Sequence, residues 1–212
     1  ANVDYNLWAG PAPMDPITRK SFHYDWHWFW NYGNGELGNN CIHAVDTMRL
    51  LLGITGLGRG VMSYGGRLLF HDAAETPNTQ VTIHDFGDIT VVQEVRNLKT
   101  AAPRLGAVVL VTGSEGYLAC TLGGNTVYDL QGKLVKKIEG TGENHFDNFL
   151  KAVRSRKRED QNAEILEGHQ STALVHVGNI SQRLGRLASP AEILRQLQSL
   201  KVHENVSETF EQ

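Results

Sequence analysis

Cysteine is scarce in this chain. Of 212 residues only two, Cys41 and Cys120, carry a thiol; they make at most one pair and match neither a zinc nor a redox spacing. They read as free, small, buried side chains and assign no compartment. Long apolar runs are also lacking. None approaches the roughly 18 residues that span a bilayer, and no basic start followed by an apolar block marks a signal peptide. Neither sign of charge dominates: 20 Lys and Arg against 23 Asp and Glu leave a formal charge of -3, which gives no footprint for nucleic acid or an anionic membrane. The basic run Arg154-Ser155-Arg156-Lys157-Arg158 is answered at once by Glu159-Asp160 and reads as a solvated helix end. With 41% hydrophobic and 20% charged residues, the chain is globular and long enough to bury roughly 70% of its unfolded surface without a disulfide or metal staple. It opens at Ala1 without a Met, the start expected of a fragment or a processed product.

What is present is unevenly placed. Residues 1–24 carry Pro11, Pro13 and Pro16 with little periodicity, an extended N-terminal arm that Trp8 would anchor. From Asn40 to Leu52 the apolar positions fit a helix, with Asn39 or Asn40 as N-cap and Gly53 as stop. The period then changes to two. Segments around 60–71, 78–86, 89–98, 106–112, 116–122, 125–130 and 133–138 are rich in Val, Ile, Thr and Tyr, and Gly87-Asp88 and Gly123-Gly124 read as hairpin turns. After Gly140 helices return, over 144–156, about 163–186 and 190–200, the last with Ser189 as N-cap and Pro190 at N1. This order predicts an α+β fold, an open, mostly antiparallel sheet with helices packed on one face. Residues 25–203 read as one domain and 204–212 as a polar tail. Alternation in 81–95 would place Thr, Gln and Val on a moderately apolar outer sheet face, suited to pairing with a second copy.

The chemistry is concentrated between residues 26 and 46. Trp26, Trp28 and Trp30 alternate, Tyr32 follows, and a Gly and Asn turn leads to His43 and Asp46, three apart on one helix side. A carboxylate beside an imidazole raises its basicity and orients it, which suits proton transfer near neutral pH; the structural alternative is a His that caps or packs, with Asp46 paired to Arg49. Gly33-Asn34-Gly35-Glu36-Leu37-Gly38 matches Gly-x-Gly-x-x-Gly but lacks the preceding strand and the acid about 20 positions on that a dinucleotide site needs. Those glycines read as a bendable loop. His23 and His27 have no third ligand at metal spacing, His169 and His176 read as polar-face residues of the long helix, and Ser114 as a turn residue.

The block Gly35-Glu36-Leu37-Gly38-Asn39-Asn40-Cys41-Ile42-His43-Ala44-Val45-Asp46-Thr47-Met48-Arg49 resembles the C-terminal domain of the Gfo/Idh/MocA oxidoreductases. Leu7-Trp8-Ala9-Gly10-Pro11, Thr76-Pro77-Asn78, Gly116-Tyr117-Leu118, His145 to Ser155 and Leu166-Glu167-Gly168-His169 leading to Asn179-Ile180-Ser181 agree in the same order. The resemblance implies an open antiparallel sheet with helices on one face, the substrate-side half of an enzyme that oxidises a sugar or polyol with NAD or NADP. In that family an Asp-x-x-x-His pattern places the His by the substrate hydroxyl. His43 matches it as the catalytic residue, and Asn39 stands where many members have Asp. Asn39, Asp46, Trp26, Trp28 and Tyr32 are the expected substrate-binding residues. The family's Glu-Lys-Pro motif and Gly-rich nucleotide loop belong to an N-terminal Rossmann domain that is not in this sequence, so no cofactor is expected on this chain alone. A homodimer or homotetramer through the open sheet face is implied, and some relatives use transient oxidation to cleave glycosides. The alternative is a non-catalytic binding or assembly module that kept the fold.

Overall fold

A computed structural model describes residues 2–98, 107–140, 142 and 144–199. Six α-helices and seven strands occur among them. The helices are α1 (Tyr5–Ala9), α2 (Gly35–Asn39), α3 (Cys41–Leu52), α4 (His145–Ser155), α5 (Ile165–Leu184) and α6 (Pro190–Ser199). The strands are β1 (Gly60–Gly66), β2 (Thr79–Asp85), β3 (Thr90–Arg96), β4 (Val109–Thr112), β5 (Gly116–Thr121), β6 (Gly124–Asp129) and β7 (Leu134–Ile138). Each strand lies where period-two alternation placed it, and the fold is α+β with open antiparallel pairing throughout. The strands divide between two sheets, β1-β2-β3 and β4-β5-β6-β7. The expected polar tail lies outside the described residues.

The local chemistry explains the boundaries. Asp4 caps α1 by accepting from Leu7 N–H at 3.0 Å, and Asn144 caps α4 by accepting from Phe146 N–H at 2.9 Å. Gly53, at φ +63, ends α3 as a left-handed stop. In the β2–β3 turn Gly87 sits at φ +89 and donates to Asp85 Oδ1 at 2.7 Å.

The chain forms two compact units. One comprises Ala1–Val45, Thr55–Thr100 and Thr172–Gln212, the other Asp46–Ile54 and Ala101–Ser171. In the first, β2 is the central strand and is buried on both faces. Val81 and Ile83 meet Leu197 of α6, with Met62, Tyr64, Val92 and Ile193 packed around them. Gln80, Thr82 and His84 point the other way, and they too are at most 2% exposed. That second side is a hydrogen-bonded seam with α5. Ser63 N–H donates to Ser181 Oγ at 3.0 Å, Gln80 Nε2 donates to Ser63 Oγ at 3.1 Å and to Asn179 Oδ1 at 3.3 Å, and the Ser63 and Thr82 hydroxyls share a bond of 2.9 Å. This corrects one expectation. The face carrying Thr82, Gln93 and Val95, read as outermost, is buried within the chain: Gln80 and the Ser63 N–H bond α5 across it and Thr82 bonds Ser63, so these groups lose little on leaving water.

The second unit holds β4–β7 and α4. It also holds Arg49, 4% exposed, which donates to the Glu167 carboxylate and carbonyl, Gln170 and Ser171 at 2.8–2.9 Å.

Candidate functional site

His43 projects from α3 and is exposed. It lines neither of the two clefts described below. Asn39 closes α2, and its Nδ2 donates to Glu36 Oε2 at 3.3 Å, while Asn40 donates to the other Glu36 oxygen. Asp46 accepts from Ser171 Oγ at 2.7 Å; Ser171 in turn accepts from Arg49, so acid and guanidinium communicate through a hydroxyl. Trp28 ends a single tight turn, Asp25–Trp28. Its carbonyl accepts from Glu75 and Thr76 N–H at 2.9 and 3.1 Å, and its ring lies 3.9 Å from that of buried His27.

Trp26 and Tyr32 come together with Trp8, which sequence reasoning had used only as an anchor. With Ala9, Ala12 and Asn31 they line an open cleft of about 320 Å³. The walls are fixed from behind. Tyr32 Oη donates to Pro13 O at 2.7 Å, accepts from Asp15 N–H at 3.0 Å and meets Tyr5 Oη at 2.8 Å. Desolvation and the Tyr5 bond hold its phenol above the ordinary range. Arg19, 8% exposed, spreads its guanidinium over Phe22, Trp8 and Tyr32 at 4.3, 4.5 and 5.5 Å, a cation stacked on rings that keeps the aromatic wall in place.

The second cleft, about 180 Å³, lies between Trp30, Gly33 and Asn34 on one side and His176, Asn179, Ile180 and Arg183 of α5 on the other. Sequence reasoning had set His176 aside and had not singled out Arg183. The signal was available, since 176, 179, 180 and 183 follow the i, i+3, i+4, i+7 stripe of one helix face. What faced that stripe was not.

Gly33, Gly35 and Gly38 do not make a bendable loop. A Cβ at Gly33 would meet the His27 backbone, one at Gly38 the Asn34 side chain, and one at Gly35, which sits at φ +71, would come 2.8 Å from Thr76 Cβ. The segment is tightly packed, follows irregular chain and not a strand, and does not fit a dinucleotide cradle. Cys41 and Cys120 are free, and burial pushes the Cys41 thiol up to about 11, so it is no nucleophile. Among the described residues no three His, Cys, Asp or Glu are grouped to hold a metal ion, and no helix is long and apolar enough to cross a membrane.

Comparison with known proteins now places the chain. It matches the Gfo/Idh/MocA oxidoreductase family, C-terminal alpha/beta domain, over residues 1–194. The chain belongs to that family. No curated protein matches it. Among solved structures it is similar to the WlbA dehydrogenase of Bordetella pertussis in complex with NADH and UDP-GlcNAcA, with TM-score 0.53 and 19% identity over 80% of this chain and 50% of that one. It is also similar to YvaA of Bacillus subtilis, described as an oxidoreductase, with TM-score 0.56 and 12% identity over 78% of this chain and 53% of that one. At these identities the likeness speaks for the fold, and the chain spans about half the length of either relative.

Proposed function

We propose that this chain is the substrate-binding and oligomerisation domain of a nicotinamide-dependent oxidoreductase acting on a sugar or polyol. The family match across residues 1–194 carries the reading. The block from Gly35 to Arg49 folds as α2 and the start of α3 and leaves His43 exposed, where its imidazole can reach a hydroxyl and take or give the proton. Trp26 and Tyr32, with Trp8, supply aromatic faces of the kind that pack on the apolar side of a sugar ring. Trp28, Asn39 and Asp46 complete the set, in supporting positions through their own hydrogen bonds. A relative solved with NADH and a UDP-sugar supports the substrate and cofactor classes. Because Gly33–Gly38 does not fit a dinucleotide, NAD or NADP is assigned to a nucleotide-binding domain outside these residues. Transient oxidation driving glycoside cleavage is a variant of the same chemistry.

The test is nicotinamide-linked turnover by the full-length protein across sugars and polyols. His43→Ala should lower it by about 10²-fold or more. An unchanged rate removes His43 from the mechanism, and no turnover with any substrate favours a non-catalytic binding or assembly module. The oligomer is assigned to the four-stranded sheet, which leaves Leu110 and Leu134 exposed on one face.

A further inference from the structure

The cleft between residues 30–34 and α5 has a built floor and a charged mouth. Asn179, 4% exposed, donates to Asn34 O at 2.7 Å and accepts from Gln80 Nε2 at 3.3 Å, so the turn and the helix are locked to β2 by one side chain. At the mouth the Arg183 guanidinium lies 4.8 Å over the Trp30 ring. A guanidinium over an indole face can still offer its N–H groups to an oxyanion, and its fork suits a two-pronged grip. Among the described residues Arg183 makes no ion pair. Glu75, the acid bonded to this segment, accepts at Oε2 from Trp30 N–H at 2.8 Å. His176, two helical turns before Arg183, adds an imidazole to the same stripe. A space of about 180 Å³ is below the roughly 300 Å³ of a drug-sized pocket and admits one small ring.

We propose that this cleft binds a monosaccharide-sized ligand bearing a carboxylate or phosphate, with the anion on Arg183 and His176 and the ring between Ile180 and the 30–34 turn. A neutral sugar makes no ion pair with Arg183.

Calorimetric titration of the full-length protein with glucuronate, glucose 6-phosphate and glucose, without nicotinamide, tests this independently of turnover. Saturation by glucuronate alone assigns the carboxylate, by glucose 6-phosphate alone the phosphate, and by both their shared charge; glucose does not saturate over the same range. Arg183→Gln should weaken the anion's binding about tenfold or more with the unfolding midpoint unchanged. Ile180→Trp, at an exposed position of α5, should fill the space and abolish binding, which keeps the test decisive if the Arg183 variant folds poorly. Glucose binding as tightly as the acids, saturation by none of the three, or wild-type affinity in both variants would overturn the proposal.

Discussion

His84 shows how much one side chain's surroundings decide. It is fully buried beside Gln93 on the polar face of β2. Burial lowers its imidazole from 6.5 to about 4, against a smaller opposing effect of nearby Gln93. Between those values the unfolded chain binds more protons than the folded one, so stability is full above about pH 6.5 and falls as pH drops towards 4. A shift of this size corresponds to about 3 kcal/mol. Chemical denaturation at pH 7 and pH 4.5 should show the loss, and His84→Gln should remove a corresponding part of the slope. An identical pH dependence in the variant would mean that other groups carry it. His43 contrasts with His84: on α3 it is exposed.

At the scale of elements, the packing of α5 on β2 turns on a glycine. A Cβ at Gly178 would lie 2.8 Å from Thr82 Cγ2 and 3.1 Å from Leu37 Cδ2, whereas one at Gly168, on the same helix, would meet nothing within 4 Å. Alanine gains about 1 kcal/mol over glycine in a helix. At Gly168 that gain stands alone, and at Gly178 overpacking against the fully buried Thr82 costs about 1–3 kcal/mol. Gly168→Ala should raise the denaturation midpoint and Gly178→Ala should lower it. Equal stabilisation by both would show that α5 stands further from the sheet than described. The strands and the helices from α3 onward were legible in the sequence, because alternation and Gly or Asp punctuation are local; α1, inside the stretch read as an extended arm, and α2, inside the glycine-rich stretch read as a loop, were not, being single short turns without periodicity. The partners of the elements were not legible either. Period-two patterning fixes which residues share a face and not what covers it, so the Thr, Gln and Val positions of 81–95 read as an outer face for a second copy although Asn179 and Ser181 of α5 face that side. Trp26 and Tyr32 stand out in the sequence as a local aromatic cluster, while Trp8, Arg183 and His176 meet their neighbours only through tertiary packing.

For the whole molecule, family membership joins a fold shared with dehydrogenases to a chain about half their length. Two expectations follow. Apolar side chains left exposed on β4 and β7 predict self-association, and light scattering of the purified chain at micromolar concentration should give at least twice 23.5 kDa; a monomer would move the interface elsewhere. We propose that these residues form the substrate side of an oxidoreductase and leave the nucleotide to another domain. This is tested most directly by calorimetric titration of this chain with NAD and with NADP. No saturable heat with either is the predicted result, because Gly33, Gly35 and Gly38 are filled against His27, Thr76 and Asn34. Saturable binding of either cofactor at micromolar concentration would contradict it.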